Sequence, residues 1–174
     1  TYPMEIAERV FATNAMGPLR MVQAFAPGMR GAGRGVIVNV SSVNGVVTSP
    51  LGGIYAGSKH ALEAFSEALQ LELGHFGVRV VVIEPGYIAT PIQHKDNPVP
   101  IAGTPYEELY RQFTGADSKL LGGERPGPEL VGRAILDAIE DEATPFRVPV
   151  GDDALLVTAT RRQLDDDEFL EVQS

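Results

Sequence analysis

The sequence predicts an α/β fold, a parallel sheet covered by helices on both faces, and three observations carry that prediction. Short β-branched runs alternate with amphipathic segments of helical length, the pattern of β-α-β crossovers. The runs Val36-Ile37-Val38-Asn39-Val40 and Val78 to Ile83 are almost continuously apolar, as strands buried on both faces are. The 174 residues are 44% hydrophobic, which is enough for one globular core.

The elements follow in order. From about Pro3, the residues Ala7, Val10, Phe11, Ala15, Leu19, Val22 and Phe25 keep the three-and-four spacing of a half-buried helix, expected to end near the glycine cluster Gly28 to Gly35. Gly31, Gly33 and Gly35 read as loop glycines. The strand Val36 to Val40 comes next. A loop with Gly45, Pro50, Gly52 and Gly53 then leads into a second helix, from about Ile54 to His75, with Ala61, Leu62, Phe65, Leu69 and Leu73 on its apolar side. Val78 to Ile83 is the second strand, stopped by Pro85-Gly86. Residues 91–128 are rich in Pro and Gly, with one helix expected near Tyr106 to Phe113. Leu130 to Ile139 reads as a helix, Arg147 to Val150 as a short strand, and Asp153 to Arg162 as another helix. No internal repeat or low-complexity tract interrupts the chain.

The formal net charge of −9 argues against a nucleic-acid binder, which needs a basic face, and against a polybasic membrane patch. The charge is concentrated in residues 129–174, which hold 12 acids and 4 bases. Asp165, Asp166, Asp167 and Glu168 read as a solvated helix start, where acids favour the positive end of the helix dipole. With no cysteine, neither a disulfide framework nor a thiolate zinc site can form. His60, His75 and His94 have no metal-ligand spacing, so no metal is expected. No apolar run approaches the ~18 residues of a membrane span, and no basic-then-apolar leader opens the chain, so the expected compartment is the cytoplasm.

In an open parallel sheet, ligands bind beyond the carboxyl ends of the strands. Ser41 and Ser42 follow the first strand; Pro85, Gly86 and Thr90 follow the second. On the intervening helix, Tyr55 and Lys59 are four apart and share a face. A tyrosine titrates near 10, and bringing it to ~7 takes roughly 4 kcal/mol of preferential phenolate stabilisation. A neighbouring ammonium has the right sign for this, reinforced by any cationic cofactor ring beside it. Such a spacing is common by itself. Asn14 is the one amide on the buried stripe of the first helix, four residues before Pro18, whose missing N–H leaves the Asn14 carbonyl without its helical partner. The expectation is a kink with a carbonyl able to hold a water; a plain bend around the core is the alternative. A hydrolase using Ser58 and Lys59 fails, because adjacent helical residues point about 100° apart. Gly52 to Gly57 before Ser58-Lys59 is a near miss to a phosphate-binding loop, broken by Ser58.

Together, N-A-M-G at 14–17, N-V-S-S at 39–42, Y-A-G-S-K at 55–59 and P-G-Y-I-A-T at 85–90 resemble the short-chain dehydrogenase/reductase family in order and spacing, with Ser42 and Tyr55 separated by 13 positions. The resemblance extends to R-V-P-V-G at 147–151. It implies a Rossmann-like doubly wound sheet and an oxidoreductase interconverting a secondary alcohol and a ketone with NAD or NADP. By the same resemblance, Tyr55 is the acid/base, and Ser42 hydrogen-bonds the reacting oxygen while Ser41 is structural. Lys59 lowers the tyrosine pKa and binds the nicotinamide ribose, and Asn14 holds a relay water through its main-chain carbonyl. Pro85, Gly86, Ile88 and Thr90 cradle the nicotinamide. The segments 60–73 and 83–91 look closest to the branch with hydroxysteroid and retinol dehydrogenases, implying a lipophilic substrate. Residues 91–128 would be the substrate lid, with Ile92, Ile101, Tyr106, Leu109, Tyr110 and Phe113 as apolar contacts. A homodimer or homotetramer is implied for the full-length enzyme.

The glycine-rich turn T-G-x-x-x-G-x-G that receives the cofactor pyrophosphate in that family has no counterpart in these residues. Residues 1–174 are therefore expected to form one partial domain, the catalytic half without the first strands of the sheet. Such a piece should expose an unpaired edge on its first strand and bare apolar surface on the helices beside it, with little cofactor affinity of its own. A non-catalytic, truncated homologue serving as an interaction or dimerisation module is the alternative.

Overall fold

A computed structural model describes residues 3–91, 101–120 and 125–173, with side chains placed except at 114–120 and 173. The chain opens with α1 (Met4–Phe11), a single π-helical turn (Ala12–Met16) and α2 (Gly17–Ala32). β1 (Gly35–Val40) leads through a 3-10 turn (Val43–Gly45) to α3 (Gly53–Leu73), and a second 3-10 turn (Gly74–Phe76) leads to β2 (Val78–Pro85). Then follow α4 (Glu107–Leu120), α5 (Pro128–Glu140), β3 (Arg147–Val150), α6 (Asp152–Gln163) and α7 (Asp166–Gln173).

The three strands form a parallel sheet in the order β1-β2-β3. β2 is central, and its residues from Val80 through Glu84 are essentially removed from solvent. Side chains alternate across it. Val78 packs with Val22 and Ala26 of α2 and Leu73 of α3, whereas Val81 and Ile83 pack with Ala138 of α5 and Val150 of β3. The two clusters cover opposite faces, which is why both long strands read as nearly unbroken apolar runs.

Among the described residues, β1 pairs with β2 alone, so its other edge carries no strand. Met21, Phe25 and Met16, on α2 and the π turn, expose large apolar surface, as does Val40.

Several boundaries differ from expectation. The second segment of the first helix runs through Gly28 and Gly31 and stops only at Gly33, whose φ of 66° is the left-handed conformation of a helix-terminating glycine. A glycine within a helix costs about 1 kcal/mol, less than the packing of Val22, Ala26 and Met29 returns. Gly35 belongs to the strand. At Asn14 the chain makes a π turn, shifting the hydrogen-bond register just before Pro18. α4 extends to Leu120, beyond the expected end at Phe113. At the C-terminus the acidic run starts α7 as expected, and Asp165 and Glu168 cap each other: the Glu168 N–H donates to the Asp165 carboxylate (2.9 Å) and the Asp165 N–H to the Glu168 carboxylate (3.0 Å).

The turn from α3 into β2 depends on Gly77, which has φ of 71° and lies against the Gly33 carbonyl, so that a Cβ would collide with backbone. Gly77→Ala combines left-handed strain with that collision and is expected to destabilise by about 2 kcal/mol or more. Chemical denaturation measures this, and an unchanged midpoint would contradict it.

Candidate active site

The site is assembled at the carboxyl ends of β1 and β2. The Ser41 N–H donates to the Ile83 carbonyl (2.8 Å), carrying the ladder one residue past β1, and the Ser41 side chain turns inward. Its hydroxyl is buried without a hydrogen-bond partner among the described residues, against Gly45, where a Cβ would stand 2.6 Å from it. Ser42, next in an extended chain, points the other way. Its hydroxyl accepts from the Asn44 N–H (3.2 Å) and donates toward the Pro85 carbonyl at 3.5 Å.

Tyr55 and Lys59 project from the first two turns of α3. The Lys59 ammonium donates to the Val40 carbonyl (3.0 Å) and sits 5.8 Å from the centre of the Tyr55 ring. Burial pushes the Tyr55 phenol above its ordinary value, and a side-chain hydrogen bond with Ser42 opposes that rise. Burial likewise lowers Lys59, while the negative charge of Glu63 opposes it. The expected lowering of the tyrosine by Lys59 is thus not what the protein alone produces, because desolvation of the phenolate outweighs the neighbouring hydroxyl.

Asn14 stands behind these two residues. Its Nδ2 donates to Ser58 Oγ (3.1 Å), and Ser58 Oγ donates to the Tyr55 carbonyl (2.7 Å). Ser58, completely buried, therefore uses its one proton inside α3 and ties the π turn to the helix that carries Tyr55 and Lys59.

A cavity of about 690 Å³ opens at this point. Ser42, Tyr55, Lys59 and Thr90 are among its polar lining residues, together with Ser41, Asn44 and Tyr87, and Pro85, Gly86 and Ile88 form part of its wall. Its apolar side includes Val43 and, from α5, Val131 and Ile135, none of which the sequence motifs pointed to. The described members of the expected lid contacts, Ile101, Tyr106, Leu109, Tyr110 and Phe113, are not among the cavity-lining residues, and Ile92 lies outside the described residues. The size and mixed lining suit a small organic ligand. Hydroxyl and ammonium groups and apolar side chains line the same cavity.

Beneath the site lies a charged cluster with no signal in the linear motifs. Arg147 of β3 bonds Glu63 (3.0 Å) and Glu67 (2.8 Å) of α3 and approaches Glu84 of β2 at 3.6 Å. Glu84 is wholly buried, and neither of its oxygens has a hydrogen-bond donor among the described residues. Its carboxyl is pushed up to about 7, first by burial and then by the charge of Glu63, against the pull of Arg147 and Arg162.

Among the described residues no three His, Asp or Glu side chains converge as a metal site, and no helix is long and apolar enough to cross a membrane. His94 lies outside the described residues.

The short chain dehydrogenase family profile matches residues 2–100. An uncharacterized oxidoreductase of Schizosaccharomyces pombe is 36% identical over 168 residues, spanning 95% of this chain and 70% of that protein. A short-chain dehydrogenase structure from Streptomyces avermitilis superposes with a TM-score of 0.74 at 29% identity, covering 92% of this chain and 58% of that one. A 3-oxoacyl-[acyl-carrier protein] reductase from Brucella melitensis with bound NAD gives 0.66 at 31%, covering 85% and 51%. The chain belongs to the short-chain dehydrogenase family, a family of α/β oxidoreductases that act on CH–OH groups with NAD or NADP. It spans between half and seven-tenths of the length of these relatives.

Two outcomes follow from the site's electrostatics. Ser42→Ala removes the side chain that counters the rise of the Tyr55 phenol, so Tyr55 should titrate higher still. Phenolate absorbance against pH, with Tyr55→Phe as the blank, reads the change; a downward shift would contradict it. Glu84 titrates near 7 folded against an ordinary 4.5, so its contribution to stability is complete below pH 4.5 and is lost as pH rises through about 7. Glu84→Gln should flatten that decline, on the order of 3 kcal/mol across the window, in denaturation curves taken at several pH values.

Proposed function

We propose that this chain carries the proton-handling and nicotinamide-binding part of an NAD- or NADP-dependent dehydrogenase/reductase that interconverts a secondary alcohol and a ketone. The observation that carries the reading is that Ser42, Tyr55 and Lys59 line one otherwise largely apolar cavity at the strand ends, with Ser42 acting to lower the Tyr55 phenol against its burial. Two hydroxyls converging there can share one substrate oxygen. In reduction, Tyr55 gives the carbonyl oxygen its proton, and Ser42 stabilises the charge that develops on it; oxidation is the reverse. The nicotinamide supplies or accepts the hydride when bound.

Lys59 is placed to hold the ribose hydroxyls with its ammonium, exchanging the Val40 carbonyl for them. Because burial raises Tyr55, proton exchange near neutral pH needs added positive charge beside the phenol, and a partly desolvated site strengthens the effect of such a charge. Asn14, tied to Ser58, offers its main-chain carbonyl to a relay water, since Pro18 brings no N–H to it. Pro85, Gly86, Ile88 and Thr90 receive the nicotinamide. Val43, Val131 and Ile135 favour a lipophilic substrate, in keeping with the acyl-group reductase among the structures similar to this chain. Residues 91–128 serve as the lid, and the assembled enzyme is a cytoplasmic homodimer or homotetramer. The alternative, a non-catalytic dimerisation module, gives no reason for the Ser42–Tyr55 pairing.

Tyr55→Phe in the protein that contains this chain should lower turnover of lipophilic ketones with NADH or NADPH by about 100-fold or more, while cofactor binding survives. Retained turnover sinks the assignment.

A further inference from the structure

The acid-rich C-terminal region contributes one residue to the site from behind its wall. Asp153 is the second residue of α6, a position at which carboxylates ordinarily serve the N–H groups of their own helix. Its carboxylate instead accepts the Tyr87 N–H at 2.7 Å, across 66 residues of chain. One residue earlier, the Gly86 N–H donates to the Val150 carbonyl at 3.0 Å. Two successive amides of the segment after β2 are therefore held by the β3–α6 junction.

The packing around Asp153 is equally specific. A Cβ on Gly86 would collide with both carboxylate oxygens, so position 86 has room for hydrogen alone. A Cβ on Gly151 would stand 2.7 Å from Asp153 Oδ1, and Gly151 also has φ of 103°, which disfavours any side chain. Glycines from two different segments thus make the space this carboxylate occupies. Asp153 is not itself a cavity-lining residue, whereas Pro85, Gly86 and Tyr87 are. Since a peptide is planar and trans, directing the Tyr87 N–H at Asp153 turns the Gly86 carbonyl the opposite way. The far side of the segment is joined to the candidate chemistry through Ser42, which donates toward the Pro85 carbonyl at 3.5 Å.

We infer that Asp153 is a positioning residue that holds the Pro85–Tyr87 segment in the orientation in which it receives the nicotinamide. The inference rests on the function proposed above and deepens it: the residue acts on cofactor affinity through backbone geometry, without touching the cofactor.

The test uses Asp153→Ala and Asp153→Asn in the protein that contains this chain, with three readouts. Hydrogen exchange of the peptide spanning Tyr87, without ligand, should accelerate in Asp153→Ala and return toward wild type in Asp153→Asn, whose amide oxygen can still accept that N–H. Quenching of NADH or NADPH fluorescence should show binding about tenfold weaker in Asp153→Ala, the loss of one hydrogen bond to a charged group, and largely rescued by Asn. In turnover, the KM for the cofactor should rise with kcat nearly unchanged. Unaltered exchange overturns the clamp. Accelerated exchange with unaltered binding overturns its role at the cofactor, and an Asn variant as weak as Ala overturns the hydrogen-bond basis. If wild type binds neither nucleotide, the functional reading falls, and the cofactor role with it, while exchange still judges the clamp. Should Asp153→Ala fail to fold, Gly86→Ala presses a methyl onto the same carboxylate and must weaken nucleotide binding; wild-type affinity there overturns the inference.

Discussion

The parallel register between β1 and β2 is the constraint from which the site hangs. Val40 lies opposite Ile83, and the Ser41 N–H adds one more rung to the Ile83 carbonyl. Because β2 runs two residues past this pair to Pro85, Ser42, two residues past Val40, emerges beside it, which brings the Ser42 hydroxyl toward the Pro85 carbonyl. A slip of one residue would exchange the faces of Ser41 and Ser42, taking the Ser42 hydroxyl away from the Pro85 carbonyl. Lys59 reports the same constraint, since its ammonium rests on the carbonyl of the last β1 residue.

Helix α3 translates that register into chemistry. Ser58 links it to the π turn at Asn14, Arg147 links it to β3, and its first two turns present Tyr55 and Lys59. The linkage is not uniformly stabilising. Glu84 is buried beside Glu63, and desolvation together with the Glu63 charge outweighs the attraction of Arg147 and Arg162, so its carboxyl titrates near 7. Tyr55 meets the same penalty in milder form. Desolvation near the cavity makes both groups costly to charge, and it also makes them responsive to any ion brought close to them.

Much of the fold was legible because strands buried on both faces leave a local signature: Val36 to Val40 and Val78 to Ile83 are short, β-branched and almost free of polar residues. Element ends were less legible. Gly28 and Gly31 look like breakers locally but lie within α2, where contacts from β2 and α3 outweigh their weak helix propensity. The placement of Ser42, Tyr55 and Lys59 around one cavity follows the spacing of their motifs, because β1, the crossover and α3 form one continuous unit. Val131, Ile135 and Asp153 had no such signal. They reach the site through β3 and α5, from parts of the chain 40 to 70 residues beyond the segment they face.

By itself, the sequence determined the α/β class, the two long strands and the identity and spacing of the reactive side chains, since each depends on residues within a few turns of one another. Only the tertiary structure decided which apolar side chains complete the cavity, that Asn14 makes a π turn bound to Ser58, that Asp153 serves a distant loop instead of its own helix, and that Tyr55 titrates upward rather than downward. The physical reason is common to all four. Desolvation and long-range contact depend on what the rest of the chain brings alongside a residue, and no local pattern records that.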